Sequence, residues 1–282
     1  MPRPDRCRWI TLNDAIKNFV SETHSTESAR HIKPLHWHVA CRLVLEGGFH
    51  PDDVTPRPPF TAEKTKTGYF LHYVSSEGEG RECTLLGGLK TKKVDVVVAK
   101  QGIGPVIAIS LKGTIKAFRN LTNRMEEAAG DCTNLHISYP ALVYGFLHVL
   151  KANRESKSVR SNDVFVHTDD RIADQIVRYH DVMSRLTGRN DVRAEVSRYE
   201  AVSILAANAQ RNQHGEIFES YPQQDSPLHF NRFMRDLYRN YDERFVYAAP
   251  ALSSTTRRLE WRSDSLALTD LNIIDFPPRT KR

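Results

Sequence analysis

Two apolar runs separated by a four-residue turn stand out in the pattern of the chain. The first is Lys93-Val94-Asp95-Val96-Val97-Val98-Ala99-Lys100; after Gln101-Gly102-Ile103-Gly104 comes Pro105-Val106-Ile107-Ala108-Ile109-Ser110-Leu111-Lys112-Gly113. Runs this short, rich in β-branched residues and bounded by glycines, predict two strands of a hairpin. Before them, Leu12, Ile16, Phe19 and Val20 form one stripe of a capped helix over 11–23. Leu35, Val39, Leu43 and Val44 mark a second helix from about 34 to 46, closed by Gly47-Gly48. The proline-rich piece 51–60 predicts an ordered loop, 69–74 a strand and 75–80 a polar turn.

Past the hairpin a helix is expected from about 115 to 130. The run Ala141 to Leu150 is continuously apolar, as a strand buried on both faces should be. A polar loop over 152–163 leads to an amphipathic helix over 171–186, and 200–207 reads as a strand, alanine-rich enough for a helix. Phe230, Phe233, Met234, Leu237 and Tyr241 give a strong helix over 227–245. The last four residues, Arg279 to Arg282, are expected to fray. Helix, strand, hairpin, helix, strand predicts an α/β fold with a central mixed sheet flanked by helices. With no internal repeat or clear linker, 1–282 reads as one domain: a helical part to about 60, a core over about 61–150 and a C-terminal α/β part over about 160–250.

A net charge of +6 and a pI near 9.1 suit a polyanionic partner. Apolar runs end near ten residues, too short for a bilayer, and the N-terminus lacks the apolar core of a signal peptide. Cys7, Cys41, Cys83 and Cys132 form no CxxC pair and read as reduced thiols of a cytoplasmic protein. On a helix the imidazoles of His36 and His38 point apart, so this pair is not expected to ligate a metal.

The chemistry-bearing residues cluster on the hairpin. Asp95 enters with its first strand, Lys112 leaves with its second, and Glu126 and Glu127 follow on the next helix. Carboxylates converging on a lysine form a site for a hard divalent cation such as Mg²⁺, bound through one or two carboxylates, backbone oxygen and water. Asp95 and Glu126 are the expected ligands, with Glu127 as the alternative to Glu126 and the Leu111 carbonyl completing the set. Lys112 would orient water and stabilise charge on a phosphodiester. Lys116, Arg119 and Arg124 lie in the first half of the expected helix, where its dipole disfavours cations, which is understandable if phosphates or guanine edges approach. Asn120 and Asn123 have the fork to read adenine, and Lys92 and Lys93 are candidates for phosphate contacts.

Asp95 with Ser110-Leu111-Lys112 resembles the motif of the PD-(D/E)xK nuclease superfamily, with valine for the proline and serine for the usual acid. The missing acid resembles a variant among type II restriction endonucleases related to the CCGG-recognising enzymes, in which it has moved to the next helix. Thirteen residues between Lys112 and Glu126 fit that variant. The resemblance implies a restriction-endonuclease-like core and a sequence-specific, Mg²⁺-dependent endonuclease acting on double-stranded DNA. It also implies a homodimer, with a tetramer as alternative, and a companion methyltransferase in no stable complex. Ser110 takes the place of the acid, and a glutamate on an upstream helix often joins such sites, for which Glu46 is the candidate by position. Where the subfamily reads bases with Arg-x-Asp-Arg, this chain has Lys116-Ala117-Phe118-Arg119, so a CCGG target does not follow. The alternatives are a structure-specific or modification-dependent nuclease, or a catalytically inactive DNA-binding module of the same fold.

Overall fold

The structure is a computed structural model that describes residues 10–21, 30–74, 82–210, 212, 214–269 and 276–281. Helix α1 (Leu12–Ser21) opens with a reciprocal cap, in which the Thr11 hydroxyl donates to Asp14 at 2.8 Å and accepts from the Asp14 N–H at 3.0 Å. It buries Leu12, Ala15, Ile16, Phe19 and Val20, the stripe its spacing predicts. Helix α2 (Lys33–Leu45) carries Pro34 in its first turn and is buried on most of its circumference. Six strands follow: β1 (Val54–Thr55), β2 (Phe60–Thr65), β3 (Gly68–Tyr73), β4 (Cys83–Leu86), β5 (Thr91–Val94) and β6 (Val96–Lys100). Then come β7 (Gly104–Thr114), α3 (Leu121–Ser138), β8 (Val143–Ala152), α4 (Asp174–Arg185), β9 (Ala201–Asn208) and α5 (Phe230–Tyr241).

The main sheet has the order β1-β6-β7-β8-β9. β1, β6 and β7 pair antiparallel, whereas β7, β8 and β9 are parallel and joined through α3 and α4. Side chains alternate across it. Ile107, Ile109, Leu111, Val143, Leu147 and Val149 pack with α1, α2 and α5 on one face. Ala108, Tyr144, Phe146 and Leu150 pack with α3 and α4 on the other. Gly145 lets α5 come close: a Cβ there would stand 2.9 Å from the Phe233 ring. The predicted α/β class with a central mixed sheet is therefore present.

Several boundaries differ from the sequence reading. The chain bends at Asp95, which splits the first expected strand into β5 and β6. The piece expected as a loop holds β1, and two small hairpins, β2/β3 and β4/β5, lie outside the main sheet. The helix after β7 starts at Leu121, not near 115, because Ala117 takes a left-handed conformation (φ 58°) and donates its N–H to Asp163 at 2.6 Å. The Arg279 N–H bonds to the Leu45 carbonyl at 2.8 Å and its carbonyl accepts from Trp261 at 2.8 Å, so residues 279–281 are docked where fraying was expected; Arg282 lies outside the described residues. The polar turn expected over 75–80 lies outside the described residues, as does Cys7; Cys41, Cys83 and Cys132 form no disulfide with one another.

At the start of β9, Glu200 is buried among Arg189 at 2.8 Å, Arg244 at 2.7 Å and the Tyr144 N–H at 2.7 Å. Arg189 and Arg244 also donate to the Pro140 and Leu142 carbonyls, so one carboxylate joins β8, β9 and the segment after α5. Glu200→Ala would leave two guanidinium groups buried without their counter-charge. It is expected to cost about 3–5 kcal/mol, read as a lowered midpoint of urea unfolding.

Candidate active site

Pairing between β6 and β7 ends at Val96↔Ile109, while β7 runs on beside β8 to Thr114↔Leu150. The bend at Asp95 leaves the Leu111 N–H without a ladder partner on that side, and Asp95 Oδ2 accepts it at 2.7 Å. Asp95 Oδ1 stands 3.7 Å from Nε2 of His36 on α2. Burial pushes the Asp95 carboxyl above its ordinary range, opposed by the Leu111 N–H and by the ammonium groups of Lys112 and Lys92.

Asp95 lies in the wall of a cleft of about 340 Å³ at the carboxyl end of β7. Leu111, Lys112, Lys116, Asn120 and Arg124 line it, together with His31, His36 and Glu82. A wider recess of about 860 Å³ shares Asp95, His36 and Glu82 with this cleft and carries Arg30, Lys33, Trp37 and Lys93. Cations thus border both spaces. The N-terminal end of α3 opens into the first, its Asn120 making no side-chain cap bond, so the positive end of the helix dipole adds to the field.

Of the expected site residues, Asp95, Leu111, Lys112, Lys116, Asn120 and Arg124 come together here, and Lys93 borders the recess. The other expected residues do not join them. Glu126 is exposed and lies two positions from buried Ala128 and six from buried Cys132, which puts it on the outer side of α3. Glu127 stands on the flank shared with Arg124 and Asp131 and is bonded to Arg124. Partial burial pushes its carboxyl up, but the Arg124 bond and charge outweigh this, helped by Lys112 and Lys92, and hold it below the usual range. If α3 contributes an acid to the cleft, the helix geometry favours Glu127 over Glu126.

Glu46 is a correction of another kind. It ends α2, pairs with Arg42 at 2.6 Å and accepts from the Tyr238 hydroxyl at 3.1 Å, facing α5. It stands ten positions, about 15 Å along the helix, from His36. Ser110 turns to the α3 face and bonds the Tyr144 hydroxyl at 2.8 Å, so its role is packing. Arg119 and Asn123 are exposed and do not line the cleft, and Lys92 is paired with Asp131.

Sequence reasoning missed His36 and Glu82. His36 and His38 do point apart: His38 is fully buried and meets the Ile10 carbonyl at 3.0 Å, whereas His36 turns to Asp95. A signal was present, since His36 shares the buried side of α2 with Ala40 and Leu43, an unusual place for an imidazole. Burial lowers the His36 pKa to about 4; nearby Lys112, Lys33 and His31 act in the same direction and Glu82 opposes them. Its Nε2 has no hydrogen-bond partner among the described residues. Behind the cleft, His148 sits opposite Lys112 on β8, its Nδ1 against the Tyr179 hydroxyl at 2.6 Å and its Nε2 against the Thr114 hydroxyl at 2.9 Å. Burial, with Arg124 and Lys112 adding to it, lowers its pKa to about 3.

Among the described residues no three His, Cys, Asp or Glu side chains close into a metal-binding group, and no helix is long and apolar enough to cross a membrane. Comparison with protein-family models, curated proteins and solved structures finds no match to the chain.

The two histidines carry a pH dependence. Their folded pKa values, about 4 and about 3, lie below the value near 6.5 of an unfolded histidine, so the unfolded chain binds protons that the folded one refuses. Stability is full above about pH 6.5 and falls as the pH drops toward 4, each histidine contributing a slope of up to ~1.4 kcal/mol per pH unit. Urea unfolding at a series of pH values is expected to show this, with a shallower slope in His148→Gln.

Proposed function

We propose that the chain is a divalent-metal-dependent endonuclease of the PD-(D/E)xK kind acting on double-stranded DNA. The observation that carries this reading is the meeting of Asp95, at the bend that leads into β6, and Lys112, on its antiparallel partner β7, in a basic cleft. The order α2, β6, β7, α3, β8, with β7 and β8 parallel, is compatible with a restriction-endonuclease-like core. The finer reading is a type II restriction enzyme in the cytoplasm, sequence-specific, paired with a methyltransferase. A homodimer, or a tetramer, suits cleavage of both strands of a symmetric site.

The donor set fits a hard cation held by few protein atoms. Asp95 Oδ2 is committed to the Leu111 N–H, which leaves Oδ1 for the cleft; Glu82 and the Leu111 carbonyl are further oxygens, and Mg²⁺ keeps several waters. When bound, such an ion would lower the pKa of an attacking water and neutralise charge on the phosphodiester. Lys112 lines the same wall and is placed to hold that water and to stabilise the negative charge that builds on the phosphorus oxygens. Lys116, Arg124 and the start of α3 bind the phosphate itself, and Arg30, Lys33 and Lys93 receive the neighbouring backbone.

One observation favours the inactive DNA-binding module instead: the second acid expected from α3 faces away from the cleft. Plasmid digestion with Mg²⁺ against EDTA, followed by run-off sequencing of the fragments, separates the two. The nuclease reading expects discrete, EDTA-sensitive fragments; absence of cutting with every divalent metal tried leaves the module. Asp95→Asn and Lys112→Ala are expected to lower the cleavage rate by about 10²–10³ or more. Ser110→Ala and Glu126→Gln should cut close to the parent rate, measured under single-turnover conditions.

Phosphate contacts give affinity without sequence choice. Lys116→Ala is expected to weaken binding alike on specific and unrelated duplexes. The slope of log K against log salt should become shallower by about 1, which fluorescence anisotropy over a salt series measures.

A further inference from the structure

We infer that the cation of this cleft takes a nitrogen ligand, His36 Nε2 beside Asp95 Oδ1, so that the site prefers a first-row transition ion such as Mn²⁺ to Mg²⁺. The inference rests on the proposed nuclease reading for what the ion does, and on geometry for where it binds. His31 and His36 line this cleft and His148 lies behind it; His148 has a partner on both nitrogens, and of the three His36 alone stands against Asp95. His36 is only 7% exposed, yet its Nε2 is buried without a hydrogen-bond partner among the described residues. A buried polar atom of this kind calls for an explanation.

The nearest acceptor, Asp95 Oδ1, is 3.7 Å away, beyond hydrogen-bond length. Two ligand atoms each about 2.1 Å from one ion stand roughly 3.0–3.6 Å apart for angles between square and trigonal. The observed separation is therefore near that of two donors sharing an ion. The pair is held from two directions. His36 is fixed by the packed helix α2, and Asp95 by the Leu111 N–H, so neither needs to reorganise far to close on a cation. Glu82 stands in the walls of both adjoining spaces as a further oxygen, with water filling the remaining positions. Imidazole is a ligand of transition metals, whereas Mg²⁺ keeps to carboxylate, carbonyl and water. A mixed nitrogen–oxygen pair selects accordingly.

The test is Mn²⁺ titration of the full chain by calorimetry, with pulsed electron paramagnetic resonance of the bound ion. The parent should bind Mn²⁺ at least about tenfold more tightly than Mg²⁺ and show echo modulation from a directly bound ¹⁴N. His36→Gln should lose the modulation and most of the preference, and His36→Asp should bind Mg²⁺ again through oxygen. Modulation that persists in His36→Gln, or parent protein that binds Mn²⁺ without it or does not bind Mn²⁺ at all, overturns the inference. Should His36→Gln fail to fold, parent protein labelled with ¹⁵N-histidine decides, because ¹⁴N modulation surviving the label rules out a histidine ligand. Loss of cleavage in Asp95→Asn with modulation intact in His36→Gln would sink the nitrogen ligand and keep the nuclease. Mn²⁺ held through His36 with no DNA cut would do the reverse.

Discussion

A strand pair that opens before its strands end leaves backbone donors without partners, and a buried donor must find one. Between β6 and β7 that donor is the Leu111 N–H, and the acceptor is a side chain, Asp95 Oδ2 at 2.7 Å. The bond stabilises the open end of the hairpin. It also fixes a carboxylate at that opening, with its second oxygen toward α2. Because β7 continues beside β8, the next residue out, Lys112, is supported by a parallel neighbour and reaches the same cleft. The acid and the base of the candidate site are thus consequences of one register.

The delayed start of α3 follows the same logic. A helix running straight on from 115 would carry Lys116 and Arg119 on its own first turns. The left-handed Ala117, tied to Asp163, turns the chain so that the helix begins at Leu121 with its N-terminal end in the cleft. Lys116 then projects from the loop, and Arg124 from the first turn of the helix. An anion entering there meets side-chain cations and the unsatisfied N–H groups of the helix end together.

Much of this was legible in the residue pattern, and the parts that were not have physical causes. The α1 stripe, the buried β8 run and the apolar hairpin were readable because burial on a known side imposes a period. Asp95 and Lys112 were singled out by their spacing around the two apolar runs, and the structure brings both to one cleft. Glu126 was chosen on linear spacing, which ignores rotation about a helix axis; one residue is about 100°, enough to exchange Glu127 on the flank for Glu126 in solvent. Glu46 failed because, besides a local pair with Arg42 one turn back, it is held by Tyr238, a contact across more than 190 positions that depends on where α5 packs. His36 was set aside because it was read with His38 as a pair, although only one of the two needed to face the cleft. The strand expected over 69–74 is present as β3, whereas its partner β2 and the strand β4 escaped because half-exposed strands of mixed polarity carry little period-two signal.

The two buried carboxylates in this sheet meet opposite fates. Glu200 is enclosed by Arg189 and Arg244 and by His136; burial alone would push its carboxyl up, yet these partners outweigh it and hold it below the usual range. Asp95 has one backbone N–H and more distant ammonium groups, and there burial prevails and its carboxyl titrates high. A carboxylate removed from water without a full counter-charge is unfavourable unless something cationic arrives. The fold thus closes the charge balance of Glu200 from within and leaves that of Asp95 open, in the wall of a basic cleft and beside an imidazole nitrogen without a hydrogen-bond partner among the described residues. Such an imbalance is relieved by a proton or, on the proposed reading, by a metal cation at Asp95.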